Sequence, residues 1–246
     1  MVQVTRGLVL REVNYKERDK ILTVLLEGQG KRTVKAAGCR GRSSNLAAAA
    51  QSLVWAEMTL FQYRDRLTLK EANTINPFRG VRDRLEKLAL GSYFAEAVEA
   101  VADEGVDTPG LLPLVLNSLY ALDRLDYPLA QVKAAFEMRL ACLAGYSPLL
   151  DSCAVCGRAN MARPMLSLEA GVIHCSTCRE AALGRSAPLD SAALEALAHA
   201  AYGPSKRLFS FRLPPDSLGL LAYACENFLL TQLDRGFRTL DFYKSL

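Results

Sequence analysis

Ile21-Leu-Thr-Val-Leu-Leu26-Glu-Gly-Gln-Gly30-Lys-Arg-Thr-Val-Lys-Ala-Ala37 decides the class of the N-terminal fold. Ile21 to Leu26 is a continuous apolar run of strand length. Gly28 and Gly30 follow at once and can supply the positive φ of a hairpin turn, and Lys31 to Ala37 returns as the next strand. Working outward, Gly7 to Val13 (GLVLREV) precedes the hairpin as a strand. Val54 to Tyr63 (VWAEMTLFQY) follows it, Arg64-Asp65-Arg66 is a turn, and Leu67 to Lys70 opens a last strand. Five short strands ahead of helical sequence suit a five-stranded OB-fold barrel, with an SH3-like barrel as the alternative. The whole chain reads as an α+β multi-domain protein.

The chain has 246 residues, half of them hydrophobic and 23% charged, an ordinary balance for a globular protein. No apolar run approaches the roughly 18 residues that span a bilayer. The opening MVQVTRGLVLREV is interrupted by Arg6 and Arg11, so it does not read as a signal peptide. A cytoplasmic location is expected, where thiols stay reduced and the seven cysteines form no disulfide framework. Charge is unevenly spread. Residues 1–80 carry 14 Lys and Arg against 7 Asp and Glu, and the remainder carries 16 against 19, within a net charge of +4. The asymmetry fits a polyanion partner for the first third, or a merely solubilising surface.

Between the third and fourth strands lies Gly38-Cys39-Arg40-Gly41-Arg42-Ser43-Ser44-Asn45, which has no acid. Its glycines allow close backbone approach and its arginine forks match phosphate oxygens; the other reading is a surface loop that happens to be basic. In the strand 54–63, Val54, Ala56, Met58 and Leu60 share a core-like side. Trp55, Phe61 and Tyr63 share the other, and could stack on bases or pack against the helical domain. Gly30-Lys31-Arg32-Thr33 resembles a phosphate loop only faintly: Arg32 stands where Ser or Thr is needed and Leu25 where glycine is needed. No ATP hydrolysis is expected.

Beyond Asn76-Pro77 the apolar spacing becomes helical. Val81 to Val101 reads as one helix, Thr108-Pro109 opens a second, and Leu129 to Leu143 forms a third closed by Gly145. Asp190 opens a helix through about His199, and Pro214-Pro215-Asp216 opens a last long one. The expected division is a barrel over 1–79, an all-α domain in two parts over 80–150 and 182–246, and a four-cysteine insertion over 151–181 between them.

That insertion holds Cys153-Ala-Val-Cys156 and Cys175-Ser-Thr-Cys178. Each pair can aim two thiolates at one ion from a single turn, and two pairs complete a tetrahedron, so one structural Zn2+ per chain is expected. Four thiolates leave no open position for water, and Ser176 stands where the zinc deaminase pattern needs a glutamate after His174. His174 is therefore expected beside the site or facing solvent, and His199 to be structural. Cys142 and Cys225 read as core, Cys39 as a loop residue. No catalytic constellation is visible, which argues against an enzyme.

Barrel, helices, four-cysteine insertion, helices: in this order the chain resembles the RecO family of bacterial DNA repair proteins. The opening Gly7-Leu8-Val9-Leu10, then Tyr15-Lys16-Glu17-Arg18-Asp19 and Ile21-Leu22, and the basic loop 38–42, carry the resemblance. It implies a recombination mediator that binds single- and double-stranded DNA and anneals complementary strands without ATP. It also implies the partners RecR and single-strand-binding protein, loading of RecA, and a place at the nucleoid. Charge and loop position nominate Lys31, Arg32, Lys35, Arg40, Arg42, Arg64 and Arg66 as nucleic-acid-binding residues. An RNA-binding or transcription-associated protein with a barrel and a zinc ribbon would share these features.

Overall fold

The computed structural model describes residues 1–42, 44–178 and 183–246. Ser43 of the basic loop, and the expected boundary at 181/182, lie outside the described residues. The elements are β1 (Val2–Tyr15), β2 (Asp19–Leu26), β3 (Gly30–Ala36), β4 (Trp55–Tyr63), β5 (Arg66–Asn76), α1 (Arg79–Arg82), α2 (Leu85–Val101), α3 (Leu111–Arg124) and α4 (Leu129–Leu143). There follow β6 (Pro164–Ser167), β7 (Ile173–Cys175), β8 (Ser186–Pro188), α5 (Ser191–Tyr202), α6 (Pro215–Gln232) and α7 (Arg238–Lys244). Residues 1–124 with 237–246 form one compact unit, and residues 125–236 form another.

In the first unit, β1 to β5 close into a barrel in the order β1-β2-β3-β5-β4. All neighbours are antiparallel except β3 and β5, which run parallel with Val34 beside Leu67. This Greek-key closure is that of the OB fold and sets aside the SH3-like alternative. One long strand makes it possible. Val2 to Leu8 of β1 pairs with β4, and Gly7 to Tyr15 pairs with β2. A Cβ at Gly7, where the strand changes partner, would lie 2.6 Å from a Val24 methyl, so only glycine fits this corner.

Side chains alternate across each strand. Ala56, Met58 and Leu60 of β4 therefore point inward and are fully buried with Val9, Leu22, Val24, Val34 and Leu69. Leu46, Ala49 and Ala50, from the β3–β4 connection, join the same core and fill the barrel where no strand covers it. Each fully buried aliphatic side chain there contributes roughly 1.5–3 kcal/mol over its exposed state.

The helix expected over 81–101 is broken. Arg84 is extended (φ −134°, ψ 135°), so α1 ends at Arg82 and α2 begins at Leu85. Phe78, at φ 45°, makes the sharp entry to α1. Helix α3 begins three residues past Thr108, whose carbonyl accepts from the Leu111 amide. The unexpected α7 packs on α2: Phe237 meets Tyr93 edge-on at 5.5 Å, and the Thr239 amide and hydroxyl both donate to the Glu96 carboxylate.

In the second unit, α4, α5 and α6 pack on one another, and α6 also contacts β8 of a small sheet ordered β7-β6-β8. Gly145, at φ 96°, ends α4 in a Schellman motif: its amide donates to Cys142 and the Tyr146 amide to Ala141. Asp190 caps α5 by accepting from the Ala193 amide at 2.7 Å. Among the described residues no helix is long and apolar enough to cross a membrane.

Candidate metal centre and nucleic-acid interface

The two cysteine pairs converge. The sulfurs of Cys153, Cys156, Cys175 and Cys178 all lie within 4.8 Å of one another, close enough to hold a metal ion. The Cys156 and Cys175 sulfurs stand 3.9 Å apart, against about 3.8 Å for a tetrahedron with metal–sulfur bonds near 2.3 Å. Two tight turns set this geometry. Gly157, at φ 72°, lets its amide reach back to the Cys153 carbonyl, and the Cys178 amide reaches back to Cys175. Strand β7 delivers Cys175, whose amide donates to the Cys153 sulfur at 3.3 Å.

The thiols differ in acidity. Burial pushes Cys153 up, but amides of Cys156, Cys175 and Val155 outweigh it and bring the thiol to about 6. Burial and then the neighbouring thiols of Cys153 and Cys156 push Cys175 up to about 12. A donor set that cannot ionise fully by itself is one that a divalent cation completes.

His174 is buried, with Nδ1 against the Cys175 carbonyl (2.9 Å) and Nε2 against the Ser186 hydroxyl (2.8 Å). Both ring nitrogens are thus engaged within the sheet, and the residue does not face solvent. His199 engages the Arg207 carbonyl through Nε2. Cys225 is fully buried and Cys142 half-buried. Cys39 lies in the loop, as expected, but its side chain is a buried member of the barrel core.

The seven nominated basic residues fall into distinct settings. The Lys31 ammonium donates to the Glu99 carbonyl in the last turn of α2 (2.8 Å). Around it, the Gly105 amide donates to the Lys31 carbonyl and the Thr33 amide to the Glu104 carboxylate, so residues 104–105 cover the edge of β3 that β5 leaves open. Arg32 pairs with Val24 and shares the inward side of β3 with Val34. Lys35 forms an ion pair with Asp19 (2.9 Å). The Gly38 amide and then Lys35 hold the Asp19 carboxyl below its usual range. The Arg40 guanidinium donates to the Lys16 and Glu17 carbonyls (3.3 and 3.2 Å), tying the basic loop to the β1–β2 turn. Arg42, Arg64 and Arg66 are exposed, and among the described residues their side chains make no hydrogen bond or ion pair.

Phe61 and Tyr63 project from the outside of the barrel, and Trp55 is half-buried on the same side of β4. Lys70 lies over the Phe61 ring, and Lys16 and Lys35 lie near the Tyr15 ring; none of Tyr15, Lys16 and Lys70 was nominated for binding from sequence. Only Lys70 carried a signal, its position beside the buried Leu69 in β5; Tyr15 closes β1 in a run of exposed residues.

A family model described as Recombination protein O N terminal matches residues 1–78, and one described as Recombination protein O C terminal matches residues 82–241. The chain is similar to the DNA repair protein RecO of Acetivibrio thermocellus, with 32% identity over 243 residues, 98% of this chain and 96% of that protein. It is 30% identical to that of Rubrobacter xylanophilus over 220 residues, 88% of this chain and 78% of the relative. For Desulforudis audaxviator the identity is 29% over 244 residues, 98% and 96% of the two chains.

Proposed function

Because the chain belongs to the RecO family of DNA repair proteins, we propose that it is a recombination mediator that binds single- and double-stranded DNA and anneals complementary strands without ATP. With RecR it helps load RecA onto DNA coated by single-strand-binding protein, at the nucleoid in the cytoplasm. It acts by binding, not as an enzyme. The observation that carries this reading is the set of Arg42, Arg64 and Arg66 on an OB-type barrel, exposed and, among the described residues, without a side-chain hydrogen bond or ion pair, Arg64 lying over the Tyr63 ring. Cations placed there neutralise phosphates of approaching strands, which lowers the repulsion between them. Lys35 and Arg40 join them when a phosphate competes with Asp19 and the loop carbonyls, and Lys31 and Arg32 add to the local field.

In this reading residues 1–79 meet the nucleic acid. The all-α domain comprises its two parts, 80–150 and 182–246. Residues 151–181 are fixed by one structural zinc ion on Cys153, Cys156, Cys175 and Cys178. Those four thiols suit zinc by donor type and spacing.

The test is annealing of two complementary DNA oligonucleotides coated with single-strand-binding protein, without ATP. Acceleration by this protein supports the mediator reading. No acceleration by folded protein, with a preference for RNA of the same sequence, overturns it in favour of an RNA-binding role.

A further inference from the structure

The four cysteines of the metal centre are alike in spacing but not in access. Cys153 and Cys175 are buried, Cys178 is partly covered and Cys156 is exposed. The Cys156 and Cys175 sulfurs come from opposite pairs and stand 3.9 Å apart. A disulfide needs about 2 Å, a closure that side-chain rotation in the surface turn at Cys156-Gly157 can supply. Cys175 is the fixed partner: it sits in β7 opposite Pro164 of β6, and its amide donates to the Cys153 sulfur. The arrangement sets one thiol that a solvent oxidant can reach beside one placed to trap the product. The remaining cysteines offer no such access, since Cys39 and Cys225 are buried and Cys142 is half-buried. Backbone bonds around the centre are also unequal. The Ala154 amide donates to the Ile173 carbonyl (2.9 Å) and so ties the first turn to β7, whereas the Cys178 amide reaches back to Cys175 within its own turn (3.0 Å).

We propose that this centre is a peroxide-sensitive switch, in which Cys156 is oxidised first, Cys175 resolves it, and the metal is released. The proposal rests on the zinc reading of the four thiols and adds a regulation to it. The Cys156 thiolate attacks one oxygen of hydrogen peroxide: an S–O bond forms, the O–O bond breaks and hydroxide leaves. The Cys175 thiolate then attacks the sulfenic sulfur: an S–S bond forms, the S–O bond breaks and a second hydroxide leaves. The two thiolates give up the two electrons that the peroxide takes, and each hydroxide is neutralised by the solvent. Cys153 and Cys178 remain, too few anionic ligands to close a tetrahedral site. The first turn stays joined to β7 in the oxidised form, because both the disulfide and the Ala154–Ile173 bond cross that junction. Cys178 loses the ion that joined it to the first pair, so the change falls there. A dithiol reductant reopens the disulfide and restores all four ligands.

The experiment uses the full chain loaded with zinc, its metal content measured beforehand. Hydrogen peroxide is added with a zinc-sensitive dye, remaining thiols are alkylated, and disulfides are mapped by peptide mass spectrometry. About one zinc ion is expected to be released for every two thiols lost, with a disulfide between Cys156 and Cys175 and alkylation at Cys178. Dimedone added with the peroxide, which captures sulfenic acids, is expected on Cys156. Dithiothreitol and fresh zinc should restore the starting metal content, and Cys142→Ser should respond as wild type does. Zinc retained under peroxide, a disulfide joining any other two of the four cysteines, or dimedone on a different cysteine overturns the switch while leaving the zinc reading in place. A folded chain that takes up no zinc overturns both. If Cys156→Ser holds its metal, peroxide should no longer speed its release; if that variant does not fold or load, the disulfide map of the wild-type chain decides the question.

Discussion

Substituting glutamine for Arg42, Arg64 and Arg66 together removes the three nominated cations that are exposed and make no hydrogen bond or ion pair among the described residues. Each phosphate neutralised on a single strand contributes about 0.7 to the slope of log affinity against log salt, so three contribute about 2. Raising salt from about 50 to about 200 mM is a fourfold change, and the lost contacts then correspond to about a 20-fold difference in salt sensitivity. The variant should bind more weakly than wild type at low salt, and the gap should narrow by that factor at the higher salt. Fluorescence anisotropy with a labelled single strand measures it directly. Lys31→Gln is the internal contrast. Its ammonium is bonded to the Glu99 carbonyl, so its removal should cost about 1–3 kcal/mol of stability and leave the slope alone. A triple variant with the wild-type slope, or a Lys31→Gln variant that flattens the slope as much as any one arginine, would refute the assignment of phosphate contacts by head-group freedom.

Metal content should be one ion per chain and should fall on Cys175→Ser. Because the metal-free Cys175 thiol is pushed up to about 12, binding must displace its proton, so affinity measured against a competing chelator should rise with pH. Gly30→Ala would place a Cβ 1.9 Å from the Val106 carbonyl oxygen at a φ of 67°; a loss of at least about 2 kcal/mol is expected in thermal or denaturant unfolding. In the second unit Lys133 bridges Glu137 and Glu226 at 2.8 and 2.7 Å, and Glu137 is fully buried. Lys133→Met should cost about 3–5 kcal/mol, and the Lys133→Met/Glu137→Leu pair should recover much of it in denaturant titrations. Burial lowers the Lys133 pKa, but Glu137 and Glu226 outweigh it and leave it raised. The stabilisation is therefore complete below the ordinary lysine value and is lost as pH rises through the folded-state value, which a pH series of unfolding curves would follow.

What could be read from the sequence depended on whether the signal was local. The hairpin at Gly28 and Gly30, the apolar side of β4 and the cysteine spacing are local patterns with one physical solution each. The first residues of β1 were not legible, because Val2-Gln3-Val4 exposes its valines on the outside of a barrel that only closure creates. The break at Asp83-Arg84 has neither glycine nor proline to announce it, and α7 is too short and too charged to show a stripe. At the interface, charge could be counted but not its commitments. That Lys31 is bonded to the end of α2, or that Arg40 pins the β1–β2 turn, depends on residues 68 and 24 positions away. The burial of Cys39 likewise depends on barrel walls contributed by several strands.

Helix α7 belongs to the unit that begins with β1, although the whole second unit, residues 125–236, lies between them in sequence. On the ribosome, those intervening residues take about 6–20 s to synthesise at about 5–20 residues per second. Through that interval the nascent barrel unit lacks Phe237 and Thr239, so Tyr93 and Glu96 on α2 are without these two contacts. A truncated chain lacking residues 237–246 would therefore carry its defect in the unit made first, not in the one made last.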